Sequence, residues 1–449
     1  MRAVVVGGGI SGLTAARDLA QRGYDVLVLE ATDRVGGKLR RGEIAGVTVD
    51  VGAEAMVNRR PEAVGLAAEL GIEVVHPTTA TSRVWTRGGL HPLPRTLMGA
   101  PLDLDQLAAS GVLSEEGIAR ARQEPGLAAT DVAGDISVGD LVEQRYGAEV
   151  TDRLVEPLLG GVYAGRARAI SAEAAMPQLL ALARRGSITT QGAALSSPST
   201  AESPVFAGIE GGMWQLPERL VDDLGGRVVR TGVTVRGVRR TDAGFEVDTG
   251  EALEAAAVVV LATPAAPTAR LLADLAPAAA GELTAIDYAS TAVVTLAFRA
   301  SDAAAALDTG ASGFLVPPVD GRRIKASTFS FAKWDWVRRA GGDLLLLRTS
   351  LGRIGEEQTL QVPDEELVTA SLADLADATG LTATPVDAVV QRWGGGLPQY
   401  AVGHLDRVAR IRAAVATVPG LAVCGAAYDG VGIAACIASA HRAVADVAG

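Results

Sequence analysis

The sequence predicts an α/β fold: a parallel sheet with right-handed crossovers, a second α+β region, and a helical insertion. Three observations predict it. First, residues 2–6 (RAVVV) and 25–31 (DVLVLEA) are short β-branched runs, and ISGLTAARDLAQRGY between them sets Leu13, Ala16, Leu19 and Ala20 on one helical face. Together they make a βαβ unit, which requires a parallel sheet. Second, the end of the chain repeats this order, with LAVCGAAYDG (421–430) as strand and loop and IAACIASAHRAVADV as helix. Third, residues 95–205 carry helical patterns and no strong strand signal.

The elements follow in order. PEAVGLAAEL (61–70) reads as a helix with proline in its first turn. SEEGIARARQ, SVGDLVEQRYG, AEVTDRLVEPLLGG and SAEAAMPQLLALARR are four successive amphipathic helices of the insertion. SITTQGAALSSPSTAESP (187–204) reads as a loop, rich in Ser, Thr and Pro. Strand character returns at 227–240 and 245–250, a hairpin-like pair, and at 256–264, a buried strand. TAVVTLAF and DLLLLRTSLG are strands within 290–352, and a helix is expected at 364–379.

Composition excludes several classes. Hydrophobic residues are 48% and charged residues 21% of 449, which argues for a packed globular chain. The net charge of −11 disfavours nucleic acid, which needs clustered Lys and Arg. Two cysteines, Cys424 and Cys436, exclude a disulfide scaffold and suit a reducing compartment. Four scattered histidines (His76, His91, His404, His441) give no metal-ligand pattern. The apolar runs at 255–262 and 344–347 are too short to span a membrane. MRAVVV meets GGG after a few residues, so it has no signal-peptide core, and a cytoplasmic location is expected.

Gly7, Gly9 and Gly12 form G-x-G-x-x-G between the first strand and the first helix. In that setting Gly7 makes the tight turn, Gly9 admits a pyrophosphate to the backbone, and Gly12 lets helix and sheet pack closely. Gly8, Ile10 and Ser11 complete the phosphate-binding turn at the helix N-terminus. Glu30 ends the second strand, beside Ala31, where a carboxylate accepts hydrogen bonds from a ribose diol and repels a 2′-phosphate. No second full fingerprint offers a pyridine-nucleotide site, and no C-x-x-C offers a redox disulfide. No G-x-S-x-G nucleophile elbow occurs either.

Further blocks carry a resemblance. DRVGGKLR (33–40), VDVGAEAM (49–56) and CGAAYDGVGIAACIASA (424–440) resemble the FAD-contacting segments of two-dinucleotide-binding flavoproteins. EPLLGGVYAGRARAIS (156–171), GGLHPLP (88–94), GFLVP (313–317) and RWGGGLPQYAVGH (392–404) are similar to recurrent segments of one branch. On these residues the chain resembles, over essentially its full length, the flavin-dependent protoporphyrinogen/coproporphyrinogen oxidase family of the amine-oxidase-like superfamily.

The resemblance implies a Rossmann-like FAD domain (1–75, 206–289, 386–449), an α+β substrate domain (76–94, 290–385) and a helical domain (95–205). It implies FAD contacts at Gly7–Gly12, Glu30, Ala31, Gly37, Lys38, Gly52, Ala53, Glu54, Ala55, Val235, Trp393, Gly425, Val431, Gly432 and Ile433. Val233 is the competing register for Val235, and RWGGGLPQY reads as a glycine-rich loop. Arg83 is the implied anchor for a substrate propionate, with Arg59, Arg60 and Arg87 as alternatives, and a guanidinium fork suits a carboxylate. Phe314, Leu315, Phe329 and Leu351 are expected on strands, as a wall for a flat macrocycle or as plain core.

The implied reaction is oxidation of coproporphyrinogen III to coproporphyrin III in three two-electron turnovers, with oxygen as acceptor, in haem biosynthesis. The flavin carries that chemistry, so no protein nucleophile is expected. The chain's acidity favours coproporphyrinogen, which has four carboxylates, over protoporphyrinogen, which has two. Amine oxidation, carotenoid desaturation and a flavin-free binding protein are the rival readings. A loose peripheral membrane contact and docking to a downstream haem enzyme stay open.

Overall fold

The computed structural model describes residues 1–194, 204–225 and 229–448. Its centre is a five-stranded sheet in the order Val229–Arg230, Asp25–Leu29, Arg2–Val6, Val258–Leu261, Leu421–Val423. Every pairing in it is parallel. Its strands are apolar on both faces, as a sheet covered on both sides requires. The first helix, Ile10–Gln21, and the last, Ile433–Ala448, lie together on one face. A three-stranded antiparallel sheet (Gly237–Thr241, Gly244–Asp248, Leu253–Ala256) and the helices Ala265–Leu272, Pro277–Thr284 and His404–Ala416 cover the other.

A seven-stranded sheet lies beside it in the order Asp387–Pro398, Tyr288–Arg299, Leu344–Leu351, Ile324–Thr328, Ala311–Leu315, Thr81–Thr86, Gly89–Pro92. Side-chain alternation gives this sheet two unlike faces. Leu345, Leu347 and Leu351 pack under the helices Ala300–Leu307 and Asp364–Thr379, and the Thr349 hydroxyl meets Ser371 of the latter at 2.7 Å. Leu346, Arg348 and Ser350 project from the opposite face, which looks toward the parallel sheet and the helical layer.

Several sequence expectations change. RWGGGLPQY is not a free loop: the strand runs Asp387–Pro398, and its glycines form a bulge where Gly395 (φ +54°) donates to the Ser290 hydroxyl. SAEAAMPQLLALARR splits into Ala172–Ala175 and Pro177–Ala183, because Pro177 cannot continue the first helix. AEVTDRLVEPLLGG contains a π turn, Thr151–Val155, just before Pro157. Ile188–Ala194 of the expected loop is helical, while residues 195–203 lie outside the described residues. The expected strand 227–240 is interrupted at 231–236, and its residues 227–228 also lie outside the described residues. The helix at 364–379 matches its expectation.

Candidate functional site

The glycine fingerprint is built as its spacing predicted. Gly7 has φ +112°, and a Cβ there would lie 2.8 Å from the Ala262 carbonyl oxygen. A Cβ on Gly12 would lie 1.9 Å from the Gly7 oxygen, so helix and sheet touch through glycine alone. Gly9 is different: open space surrounds its Cβ direction, and it caps the first helix without a side-chain bond. The N–H groups of Ser11 and Gly12 have no partner among the described residues. The last helix opens in the same way at Gly432, which is exposed and unobstructed. Its Ile433, Ala434 and Ala435 N–H groups are likewise free among the described residues. Two long helices thus present uncapped, partly positive N-termini, which is how anionic groups are held.

Glu30 stands at the end of its strand with both oxygens engaged. One accepts from Gly8 N–H at 2.6 Å, the other from Thr32 N–H at 2.8 Å and the Thr32 hydroxyl at 2.7 Å. Ala31 is exposed beside it. Val233 N–H is taken by the Glu30 carbonyl at 2.9 Å, whereas no hydrogen bond among the described residues engages Val235. Val235, not Val233, therefore has a main-chain donor and acceptor available.

Gly36 N–H donates to the Gly8 carbonyl at 2.8 Å, which brings Gly37 and Lys38 beside the fingerprint. Lys38 is reachable by water, yet desolvation by the surrounding protein lowers the pKa of its ammonium. A group both accessible and enclosed lines an internal cleft. Ala53 N–H donates to the Lys38 carbonyl at 3.1 Å, and a Cβ on Gly52 would lie 2.0 Å from that oxygen and 3.2 Å from the Trp393 ring. The Trp393 indole donates to the Val51 carbonyl at 3.3 Å. The turn 52–55 is therefore locked between 37–38 and Trp393.

The Glu54 side chain faces the other sheet. It accepts from Lys333 Nζ at 2.7 Å and the Ser330 hydroxyl at 3.3 Å, and forms an ion pair with Arg348 Nε at 3.2 Å. Burial alone would raise its pKa, but Arg348 and Lys333 outweigh burial and hold it near 2. Of 52–55, then, the Gly52 carbonyl and Ala53 N–H are taken, the Glu54 and Ala55 N–H groups have no partner among the described residues, and the Glu54 carboxylate is a structural clamp. Arg348 also donates to the Gly52 carbonyl at 2.7 Å. Asp50 accepts from Met213 N–H at 2.8 Å and Trp214 N–H at 3.2 Å. Burial, aided by the nearby Glu54 charge, pushes Asp50 up to about 7 despite those donors and Arg348. Asp50, Lys333 and Arg348 were missed in sequence because they lie on separate elements; only the proximity of Asp50 to GAEA hinted at a role.

The approach to the last helix is held from outside. Tyr400 donates its hydroxyl to the Ala426 carbonyl at 2.6 Å and accepts from Gly430 N–H at 2.8 Å. Its own carbonyl accepts from Ser171 N–H in the helical layer at 2.7 Å. Gly425 (φ +126°) donates to the Ser439 hydroxyl at 3.2 Å, and Val431 is half-buried against the helical core. His404 stacks on Tyr400 at 3.8 Å, and burial pushes its pKa down to about 4, so it is neutral.

The four expected substrate residues are placed differently. Phe314 and Phe329 are each 2% exposed and Leu351 1%, all within the core under the outer helices, where Phe314 meets Trp85 and Phe329 edge-on. Phe329 also lies beyond its strand, which ends at Thr328. Arg83 pairs with Phe314 across the sheet and so shares that face. Its neighbour Val84 pairs with Leu315 and packs against the helical layer. The cleft face thus carries Leu315, and the structure does not bring Arg83, Phe314, Phe329 or Leu351 to it. Arg59 and Arg60 lie on exposed ground near the Pro61–Glu69 helix, and Arg87 sits at 3.6 Å from Glu149.

A flavin dinucleotide fits these residues: open glycines and uncapped helix termini for the diphosphate, a strand-end carboxylate for a ribose, and a free main-chain pair at Val235 for an adenine. Among the described residues no cluster of His, Cys, Asp and Glu could hold a metal ion, and no helix is long and apolar enough to cross a membrane.

Comparison with known proteins agrees with this geometry. Residues 10–448 match the model of the flavin containing amine oxidoreductases. The chain is 39% identical to the coproporphyrinogen III oxidase of Mycobacterium bovis, over 99% of this chain and 96% of that one. It is 30% identical to the coproporphyrinogen III oxidase of Bacillus subtilis, over 99% and 97%. A crystal structure from Exiguobacterium sp. 255-15 superposes with a TM-score of 0.87 at 32% identity, covering 99% and 98% of the two chains.

Proposed function

The chain belongs to the flavin containing amine oxidoreductase family, and from that premise we propose that it oxidises coproporphyrinogen III to coproporphyrin III with FAD as cofactor and oxygen as acceptor. It is a flavin-dependent oxidoreductase. The observation that carries the substrate is the full-length 39% identity to a relative named for that reaction. A cytoplasmic setting belongs to the same proposal.

When bound, the flavin supplies a hydride acceptor for a bridging C–H of the substrate. The chain's own residues do the rest. Gly9, Ile10, Ser11 and Gly12 would hold the diphosphate, Glu30 a ribose, and Val235 the adenine edge. Glu30 would release Gly8 N–H to take a ribose hydroxyl. Gly37, Lys38, Gly52, Ala53, Trp393, Gly425, Val431, Gly432 and Ile433 would line the isoalloxazine end. The N-terminus of the last helix there favours negative charge on the ring.

Aerobic incubation of the purified holoenzyme with coproporphyrinogen III should give porphyrin fluorescence and three peroxides per porphyrin. Protoporphyrinogen IX, run in parallel, should turn over more slowly. Absence of porphyrin from both substrates would end this reading. Mass spectrometry of the extracted cofactor should return FAD; FMN would leave Glu30 and Val235 without a ligand.

A further inference from the structure

Of the chain's 41 basic residues only three are lysine, Lys38, Lys325 and Lys333, and of these Lys38 is exposed, Lys333 half-buried and Lys325 buried. Wherever a permanent cation suffices, this chain uses arginine. A guanidinium does not lose its proton under any working condition, whereas an amine does when its surroundings disfavour charge. Lys333 is paired with Glu54 at 2.7 Å, so it is a cation with a counter-charge. Lys325 is not.

Lys325 is 4% exposed. Its Nζ meets the Ser350 hydroxyl at 2.5 Å and the Leu351 carbonyl at 3.2 Å, and among the described residues no carboxylate lies within ion-pairing distance of it. Burying an unpaired ammonium is costly, and a buried lysine answers by losing its proton. Burial is the largest effect here and Arg353 adds to it, against Glu356, which together push the amine down to about 7. Arg353 in turn faces Glu356, Glu156 at the start of the covering helix and Arg166 after that helix, while Asp374 accepts from Arg323 and Ile324 N–H where the strand of Lys325 begins.

Ser350 connects this amine to the cleft. It projects from the same strand face as Arg348, whose guanidinium holds the Gly52 carbonyl. Two residues along a strand put Ser350 roughly 7 Å from Arg348. Above it runs the helix Glu156–Tyr163, tied down where Ile354 N–H donates to the Ala164 carbonyl at 2.8 Å. Gly161 of that helix faces Leu315 of the sheet, with 3.9 Å between a Cβ there and the leucine, yet Gly161 stays exposed. The helix therefore approaches the sheet through an exposed glycine beside Leu315 and Ser350, at the edge of the cleft. The half-buried serine is the polar group on its floor, with the lysine directly beneath.

Resting on the porphyrinogen reading above, we propose that Ser350 and Lys325 form a proton-accepting relay on the cleft floor that takes the pyrrole N–H proton released at each oxidation step. In each step a hydride leaves the bridging carbon for the flavin. The pyrrole N–H bond breaks and its electron pair stays on nitrogen, completing the new π bond. The proton joins Ser350 Oγ while the hydroxyl hydrogen passes to the lone pair of Lys325 Nζ. The ammonium then returns its proton to solvent. Three rounds remove three hydrides from bridging carbons and three protons from nitrogen; because porphyrin lacks four bridging C–H and two N–H hydrogens of the porphyrinogen, the fourth bridging carbon then passes one proton to a ring nitrogen, which completes the aromatic ring.

Only three lysines make the test direct. Holoenzyme labelled with 13Cε-lysine should give three signals, of which the one lost in Lys325→Met titrates near pH 7. A Lys325 signal that stays ammonium-like above pH 9 overturns the relay without any assay of turnover. In kinetics, Lys325→Arg keeps the cation and removes the base. It should cut kcat by about 10²-fold, abolish the acidic limb of the pH profile, and leave KM and flavin content within about twofold. An arginine variant with wild-type kcat would make the site a carboxylate anchor and sink the relay. Ser350→Ala should lower kcat in the same direction with the fold intact, which guards against a Lys325 variant that misfolds. A wild-type protein that makes no porphyrin removes the substrate reading and the relay's role with it, yet leaves the lysine titration standing; a failed titration with porphyrin formed removes the relay alone.

Discussion

The two main sheets meet the same cleft with opposite materials. The parallel sheet offers main chain: glycines without side chains, helix ends without caps, an unpaired stretch at Val235. The seven-stranded sheet offers charged and polar side chains, Arg348, Ser350, Lys325 and, just beyond a strand, Lys333. The first kind of site depends on shape and open space, and a single added carbon closes it. The second depends on charge balance in a dry interior, where removing one partner strands the others. The two should therefore fail in different ways.

The largest effect should come from Gly12→Val, which forces a side chain into the Gly7 carbonyl. A cost of at least about 3 kcal/mol is expected, read as loss of soluble protein or a lowered urea midpoint. Gly9→Val is its partner test. That position has room and an extended backbone (φ −75°, ψ 177°), so the fold should survive while bound flavin falls at least about tenfold. If both variants lost stability equally, Gly9 would be a packing residue and not a phosphate cradle.

Next comes Glu54→Gln, which leaves Lys333 and Arg348 without their counter-charge. A loss of about 3 kcal/mol in chemical denaturation is expected, of the size seen when one partner of a buried pair is removed. A loss under about 0.5 kcal/mol would mean the two sheets are held by apolar packing alone.

A smaller effect attaches to Asp50. In the folded chain it keeps its proton up to about pH 7, against an ordinary value of 3.8. A raised carboxyl binds its proton more tightly when folded, so its contribution is complete below the unfolded value and is lost as pH rises through 7. Wild-type stability should fall by roughly 1–3 kcal/mol between pH 5 and pH 8 on this account, and Asp50→Asn should flatten that fall. A slope unchanged in the variant would assign the pH dependence elsewhere.

The smallest effect is expected at Arg83. On the outer face of the sheet it should alter KM by less than about twofold when changed to alanine. A tenfold rise would return it to the cleft and reverse the assignment of faces.

How much of this was legible follows from the same division. Main-chain sites announce themselves, because Gly7, Gly9 and Gly12 lie within six residues and Glu30 follows at the end of the next strand. Their geometry is local, so spacing is nearly structure. Val235 could be placed only to within two residues, since register is settled by which N–H the Glu30 carbonyl takes. Side-chain sites are assembled from afar: Glu54 meets Arg348 and Lys333, and Lys325 meets Ser350, with nothing periodic to mark them. The faces of Arg83 and Phe314 were unreadable because an alternating strand does not say which side is covered. The bulge at Gly395 and the break at Pro177 depend on neighbours that the local sequence does not contain.

The order of strands in the parallel sheet has a consequence for biosynthesis. Arg2–Val6 precedes its flanking strand Val258–Leu261 and the outermost strand Leu421–Val423 by hundreds of residues, and the last helix comes later still. The nascent chain on the ribosome thus carries a finished phosphate loop with half of its walls missing. The floor and the far wall of this cleft are therefore joined only by late, long-range pairing, the kind of contact that folds slowly and leaves an early strand without its neighbour.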